Sequence, residues 1–418
     1  MKKQKVNVIF IALLLAAALV FVVQAAIWGM KEPYVFAFPL FRDIREIPFA
    51  DYWHVNFIVH DNSPYYGDMS SYPPLVLVFA RIFAAFADYT DGYETVYLDG
   101  GTGATVSLYL FFLVFAFLYA LLIFRILEKK GFSLPVQIAF VVASFFTMGL
   151  VYNFERGNYV LYALLPALFF FGYYDSEKAW LRELAYICLG IATGIKLYPA
   201  LFALILLHER KFFPFFRCVA YSLLSLFVPF FFLDRGLANI HQFIRWLVSF
   251  AVWQAEYGYN YSITNFLAIM ASFFGGAPLA EADVSVYNVY PYIVVALSLL
   301  SGLFANKKYK VFLGASIAMI LFPNPSFYYS ASFLILTMIA FLAEEKKDAW
   351  DIAYMALLVL SVAPVYMGTV DADYSLYVNQ FVETIAMILM MFLLVADTLV
   401  HRIPPIITKN KNCIKKAA

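Results

Sequence analysis

The chain of 418 residues reads as all-α, a polytopic integral membrane protein of about ten full crossings plus one broken half-helix pair. Three observations predict that class. Hydrophobic residues make up 64% of the chain and charged ones only 14%, which excludes an ordinary soluble domain. Apolar runs of about 20 residues, the length that crosses a bilayer core, recur along the sequence. The lysines and arginines gather in alternate connections, as a sided membrane topology demands.

Taken in order, the N-terminal stretch MKKQKVNVIFIALLLAAALVFVVQAAIWGM opens basic and turns apolar. Its apolar part, Val8 to Trp28, exceeds the roughly 7–15 residues of a signal-peptide core. A retained first helix with its basic end in the cytoplasm follows. Further spans are predicted at roughly 105–127, 134–153, 157–174, 215–233, 287–305, 309–323, 327–343, 350–368 and 376–400. Between Leu184 and Leu207 the apolar run is interrupted by GIKLYP. As one crossing it would strand Lys196 at mid-membrane, a costly place for a charge. As two half-helices it enters and returns, with Lys196 at the turn near the outer side. The returning reading keeps most of the 29 lysines and arginines on the cytoplasmic side, including Lys307, Lys308, Lys346 and the C-terminal group. The broken pair is therefore expected.

This topology makes 30–104 and 234–286 the long outer loops, with short outer segments at 153–158, 194–199, 323–326 and 369–375. Pro73-Pro74 enforces an extended entry, and Leu75 to Ala87 has the spacing of a helix lying in the interface. No repeat or separate soluble domain breaks the pattern, so residues 1–400 form a single integral unit and 401–418 a basic cytoplasmic tail. A formal net charge of +1 gives no reason to expect a nucleic-acid partner. Cys188, Cys218 and Cys413 form no CxxC pair, so neither a disulfide framework nor a thiolate metal site is indicated.

The chemistry-bearing stretch is Asp51 to Leu75, DYWHVNFIVHDNSPYYGDMSSYPPL. It is polar and aromatic yet lies between apolar segments, where a membrane protein would handle a polar substrate. Outer carboxylates include Asp43, Glu46, Asp51, Asp61, Asp68, Glu155, Glu256, Asp371 and Asp373. A glycosidase wants two carboxyls because its leaving group needs an acid. Transfer from a lipid phosphate-sugar needs one base for the acceptor hydroxyl, because phosphate departs as a stable anion that cations or donors can stabilise. Lys196 either snorkels or meets an anionic partner such as a lipid phosphate. Arg156, in NFERGNY, either pairs with Glu155 or faces the same cavity. His54 and His60 share no helical face and make poor metal ligands. Asp371 and Asp373 form a DxD whose ordinary role is loop capping, with a divalent cation left open. Among the tyrosines, Tyr52, Tyr65, Tyr66 and Tyr72 stand where stacking on a sugar would be natural.

In this order the pieces resemble glycosyltransferase family 87, α-mannosyltransferase-like members of the C-type, polyprenol-phosphate-sugar-dependent superfamily. Asp51-Tyr52, Pro64-Tyr65 and Tyr72-Pro73-Pro74-Leu75 match an early outer loop of that family. Arg156-Gly157-Asn158 is similar to its GQxN-type turn without the glutamine, and Asn260-Tyr261-Ser262 to its central N-Q-S element. Gly190, Gly194, Lys196, Tyr198 and Pro199 match its glycine-lysine-YP element. Ser326 to Tyr329 loosely matches a late SW-x-H element and lacks the histidine.

The resemblance implies the C-type architecture, with Asp51 as general base and Lys196 with Arg156 on the donor phosphate. The cavity it implies is lined by Tyr52, His54, Asp61, Tyr72, Asn158, Tyr198, Asn260, Ser262 and Tyr329. It implies no cofactor, a polyprenyl-phosphate hexose (mannose) donor, and an inverting transfer to a lipid-linked or glycan acceptor. The setting would be the plasma (inner) membrane, with the active site extracytoplasmic and both termini cytoplasmic. The rival is a transporter or flippase of lipid-linked saccharides, which broken helices also suit. Against it, the second half of the sequence holds no matching interruption.

Overall fold

The apolar runs are helices throughout a computed structural model that describes residues 3–31, 40, 47–60, 64–66, 70–89, 101–253, 258–275 and 284–417. The candidate carboxylates Asp43, Glu46, Asp61, Asp68 and Glu256 lie outside the described residues. In chain order the first helices are α1 Lys3–Lys31, α2 Ala50–His60, α3 Pro74–Ala84, α4 Thr102–Lys129, α5 Leu134–Phe145, α6 Met148–Arg156 and α7 Val160–Tyr173. Next come α8 Ala179–Ile195, a 3-10 turn Tyr198–Ala203 and α9 Leu204–His208, then α10 Phe212–Phe227, α11 Asn239–Trp253 and α12 Ile263–Gly275. The chain closes with α13 Tyr290–Leu303, α14 Lys308–Leu321, a 3-10 turn Tyr328–Phe333, α15 Leu334–Ala343, α16 Ala349–Val362 and α17 Val378–Ala417. A short antiparallel pair, β1 Thr369–Asp371 with β2 Leu376–Tyr377, precedes α17. Asp371 Oδ1 accepts the Asp373 and Tyr374 N–H groups at 3.0 and 3.3 Å, which is the capping role its DxD suggested.

Among the described residues five helices are long and apolar enough to cross a membrane: Gln4–Met30, Thr102–Lys129, Phe212–Phe232, Ser285–Leu303 and Val378–His401. A sixth is added if α5 and α6, bent by 56° at their junction, count as one span. Helix length thus supports five or six crossings where the apolar runs predicted about ten. The difference is physical. The predicted runs at 157–174, 327–343 and 350–368 are real apolar helices, but α7 and α16 are 14 residues long and span roughly 21 Å at 1.5 Å per residue.

Burial separates a centre from a rim. Tyr309 to Leu321 of α14 and Leu334 to Leu342 of α15 are buried on all sides, as expected of helices that are apolar all round. By contrast α1, α4 and α10 expose large apolar side chains such as Leu19, Leu113, Phe117, Phe213 and Phe216. These suit contact with lipid tails.

The broken pair is present. α8 ends at Ile195, Lys196 takes an extended conformation, and the chain returns through Tyr198–His208. Both ends of this excursion sit together. Tyr174, just before α8, donates from its hydroxyl to Glu209 at 3.0 Å, and Lys308 reaches Glu209 at 2.5 Å. Lys196 is therefore the apex of a hairpin whose open end holds the lysines of α14. Two glycines let α8 lie closely on its neighbours. A Cβ at Gly190 would come within 2.7 Å of the Tyr221 backbone in α10, and one at Gly194 within 2.7 Å of Ser225 O and Leu75. Small residues four apart are how apolar helices bring their backbones together.

Candidate active site

Asp51 sits in the first turn of α2 and is 8% exposed. Its carboxylate is gripped from the turn between α6 and α7. Arg156 donates to one oxygen as an ion pair, and the Asn158 amide donates to the other. That turn works because of Gly157, whose φ of 63° is the left-handed conformation that ends a helix cheaply only at glycine. Asn158 N–H returns to Asn153 O at 3.1 Å, completing a six-residue C-cap. Tyr52 Cβ would lie 2.6 Å from a side chain at position 157, so α2 rests directly on the glycine. Of the partners open to Arg156 from the sequence, Glu155 or a group in the cavity, the ion pair it forms is with Asp51. Its guanidinium is already engaged by Asp51, so any contact with a donor phosphate would be shared with that ion pair.

Lys196 arrives from the hairpin apex. Its ammonium lies over three rings, Tyr329 at 5.1 Å, Tyr72 at 5.6 Å and Tyr198 at 5.9 Å from the ring centroids. Among the described residues no carboxylate comes within salt-bridge distance of it. Both Lys196 and Tyr72 are within electrostatic range of the Asp51 carboxylate. Tyr72 is placed by the chain around it. Tyr65 donates its hydroxyl to Tyr72 O at 2.7 Å, Pro73 is extended, and Pro74 occupies the first turn of α3, where no amide hydrogen is needed.

Beside this lysine lies a cavity of about 650 Å³. Lys196, Tyr198 and Tyr329 form part of its wall, together with apolar side chains such as Leu201, Pro291 and Tyr292. Asn324, Ser326 and Thr264 supply polar groups. Size and mixed lining suit a ligand with both a polar and an apolar part.

The structure distributes the remaining expected residues unevenly. Tyr52 is wholly buried behind Asp51; its hydroxyl is 2.5 Å from Ser107 Oγ, and its ring packs on Trp53, Phe111 and Tyr159. It supports the site and does not line the cavity. His54 is half-buried, three residues beyond Asp51 on α2. Asn260 is buried and acts as a clamp, with Oδ1 accepting the Ser262 and Ser326 N–H groups at 2.9 Å each. Ser262 is likewise buried and hydrogen-bonded within the wall. Asp61 lies outside the described residues. Asn324 and Thr264 were not singled out from the sequence. The only signal was an asparagine between two prolines in a turn joining apolar helices, a pattern that marks a turn and says nothing of a ligand.

A family model described as Glycosyltransferase family 87 matches residues 71–323. That range includes Tyr72, Arg156, Lys196, Asn260 and Thr264, and excludes Asp51, Asn324 and Tyr329. No curated protein matches the chain.

Proposed function

The chain belongs to glycosyltransferase family 87 and is a membrane glycosyltransferase; from that premise we propose that it transfers a hexose, mannose first, from a polyprenyl phosphate to a lipid-linked or other glycan acceptor outside the cytoplasm. One observation carries this reading. An aspartate and a lysine distant in sequence are brought within electrostatic range, and the lysine lines a cavity that has polar and apolar walls.

The roles follow from charge. Asp51 accepts the proton of the acceptor hydroxyl as that oxygen attacks the anomeric carbon. The bond from that carbon to the phosphate oxygen breaks, and its electron pair leaves with the polyprenyl phosphate. Attack opposite to the departing phosphate inverts the configuration. Lys196 meets the negative charge that develops on the phosphate. Arg156 and Asn158 hold the two carboxylate oxygens of Asp51 and fix its direction, so the base is aimed before substrate arrives. Tyr72, Tyr198 and Tyr329 shield the lysine and offer faces to a sugar ring.

The test is transfer of radiolabelled mannose from synthetic polyprenyl-phosphate mannose to a total lipid extract by purified protein in detergent. Product from the wild type and not from Asp51→Asn supports both the reaction and the base. Equal product from both moves the base to another carboxylate, Asp43 or Asp61. A wild type that does not bind the donor at all overturns the reading.

A further inference from the structure

The cavity wall contains an amide whose orientation is set from behind. Ser262 Oγ accepts the Asn265 N–H at 3.1 Å and donates its own hydrogen to Asn324 Oδ1 at 3.1 Å. Ser262 is fully buried and its backbone N–H is held in turn by Asn260. With its oxygen engaged there, Asn324, a residue of the cavity wall, has its Nδ2 hydrogens to offer to a ligand. Two further hydroxyls on the same wall are buried without a hydrogen-bond partner among the described residues: Thr264 Oγ1, on a side chain 1% exposed, and Tyr198 Oη. Buried hydroxyls in proteins almost always find partners, because leaving one unmet costs about 1–3 kcal/mol. One oriented donor and two orphaned hydroxyls around a single cavity call for a ligand rich in hydroxyl oxygens.

We infer that Asn324, with Thr264 and Tyr198, forms the subsite that reads the hydroxyl groups of the transferred sugar ring. This rests on the proposed transferase reading and goes beyond it by assigning specificity to residues outside the Asp51–Lys196 pair. Asn324 Nδ2 donates to one ring hydroxyl oxygen, while the Thr264 and Tyr198 hydroxyls each donate or accept as the sugar requires. The apolar side of the cavity, Leu201, Pro291 and Tyr292, takes the beginning of the lipid chain. Discrimination of this kind is strong. A site built to bond a hydroxyl rejects a ligand lacking it by up to about 10⁴–10⁵-fold, since its own buried groups are then unmet.

The experiment measures binding, so that no acceptor is needed. Purified full-length protein is titrated with polyprenyl phosphate and, separately, with polyprenyl-phosphate mannose. Asn324→Asp is the informative variant. It keeps an oxygen for the Ser262 hydroxyl and replaces the two donor hydrogens with an acceptor; Thr264→Val removes the second group while keeping its shape. The wild type should bind the mannose-bearing lipid more tightly than the bare one. In each variant the preference for the mannose-bearing lipid should shrink at least tenfold with unchanged melting temperature; affinity for the bare phosphate should stay within about twofold in Thr264→Val, which adds no charge, while the new carboxylate of Asn324→Asp weakens both lipids on top of that loss of preference. A preference that survives in both variants overturns the subsite and leaves the transferase reading intact. A wild type that binds neither lipid overturns both. Equal loss of affinity for both lipids in Thr264→Val, or loss in Asn324→Asp with the preference for mannose unchanged, would show the wall to be structural, which also overturns the inference.

Discussion

Two lysine-bearing ends of the same helices treat their charges in opposite ways. At the open end of the hairpin, Lys307 reaches Asp348 and Asp351 at 2.8 and 2.6 Å, Lys308 reaches Glu209, and Lys129 reaches Asp175 at 3.7 Å. Lys310, nearly inaccessible, pairs with Asp397, itself in contact with His401 and Tyr354. At the apex Lys196 has three tyrosine rings and no carboxylate within salt-bridge distance among the described residues. Aspartate 51 is close enough to feel, yet it is turned toward Arg156 and Asn158. Charges that have been neutralised hold helices together. A charge left among aromatic faces keeps its attraction for an incoming anion, which suits the proposed role of Lys196 toward the donor phosphate.

The contrast can be broken at either end. The largest effect is expected from Asp51→Asn, which removes the proposed base while keeping the shape. Turnover should fall by about 10²–10⁴-fold with donor affinity retained, read in the mannose-transfer assay. Next comes the buried pair at the other end. Lys310→Met leaves Asp397 without its main partner and should cost about 3–5 kcal/mol of stability, whereas Lys310→Met with Asp397→Leu should restore most of it. Thermal unfolding in detergent compares the two, and a double variant no more stable than the single would show that the pair is more than a neutralised contact. Lys196→Met should fold normally and lose about 10²–10³-fold in turnover, the ordinary weight of a group that stabilises developing charge. Wild-type rates in that variant would remove the lysine from the chemistry.

The smallest effect concerns Glu209. Burial pushes its carboxyl up, but hydrogen bonds from Lys211 and Lys308 outweigh this and hold it below the ordinary glutamate value. A carboxyl depressed in the folded state stabilises above its unfolded pKa of about 4.3, and that help disappears as pH falls through the folded value. Lys308 is half exposed, so the contribution stays under about 1 kcal/mol. Glu209→Gln should therefore melt slightly lower than wild type at pH 7, and the gap should close below pH of about 4. A gap that widens on acidification would contradict the ion pair.

Much of this architecture is legible in the amino-acid order, and the exceptions have causes. The runs read at roughly 105–127 and 376–400 appear as helices at Thr102–Lys129 and Val378–His401, because long apolar stretches leave the backbone no other way to meet its own hydrogen bonds. The hairpin was readable because GIKLYP interrupts an apolar run and the later lysines need a side. Among the described residues five or six of the roughly ten expected crossings have the full length of a span, because apolar runs such as α7 and α16 form helices of only 14 residues. At the site, Lys196, Tyr72, Tyr198 and Tyr329 could be nominated from their order, and the structure does gather them. The partnership of Arg156 with Asp51 could not be foreseen, since it depends on one left-handed glycine under Tyr52. Asn324 and Thr264 were invisible for a different reason. Single amides and hydroxyls in apolar surroundings have no periodicity, and only the three-dimensional wall shows which of them lack partners.

The hairpin between Ala179 and His208 also settles a question of parity. A segment that goes in and comes back changes the side of nothing that follows it, whereas a through-going rod reverses everything downstream. Because Tyr174 and Glu209 meet across its open end, the remaining half of the polypeptide starts again from the level at which the first half stopped. Straightening the turn at Lys196–Pro199 would thus do more than displace one ammonium group. It would exchange the destinations of every later connection, carrying Lys307, Asp348 and Asp351 to the face where Asn324 belongs. The break in that helix acts as a sign convention for the whole second half of the molecule.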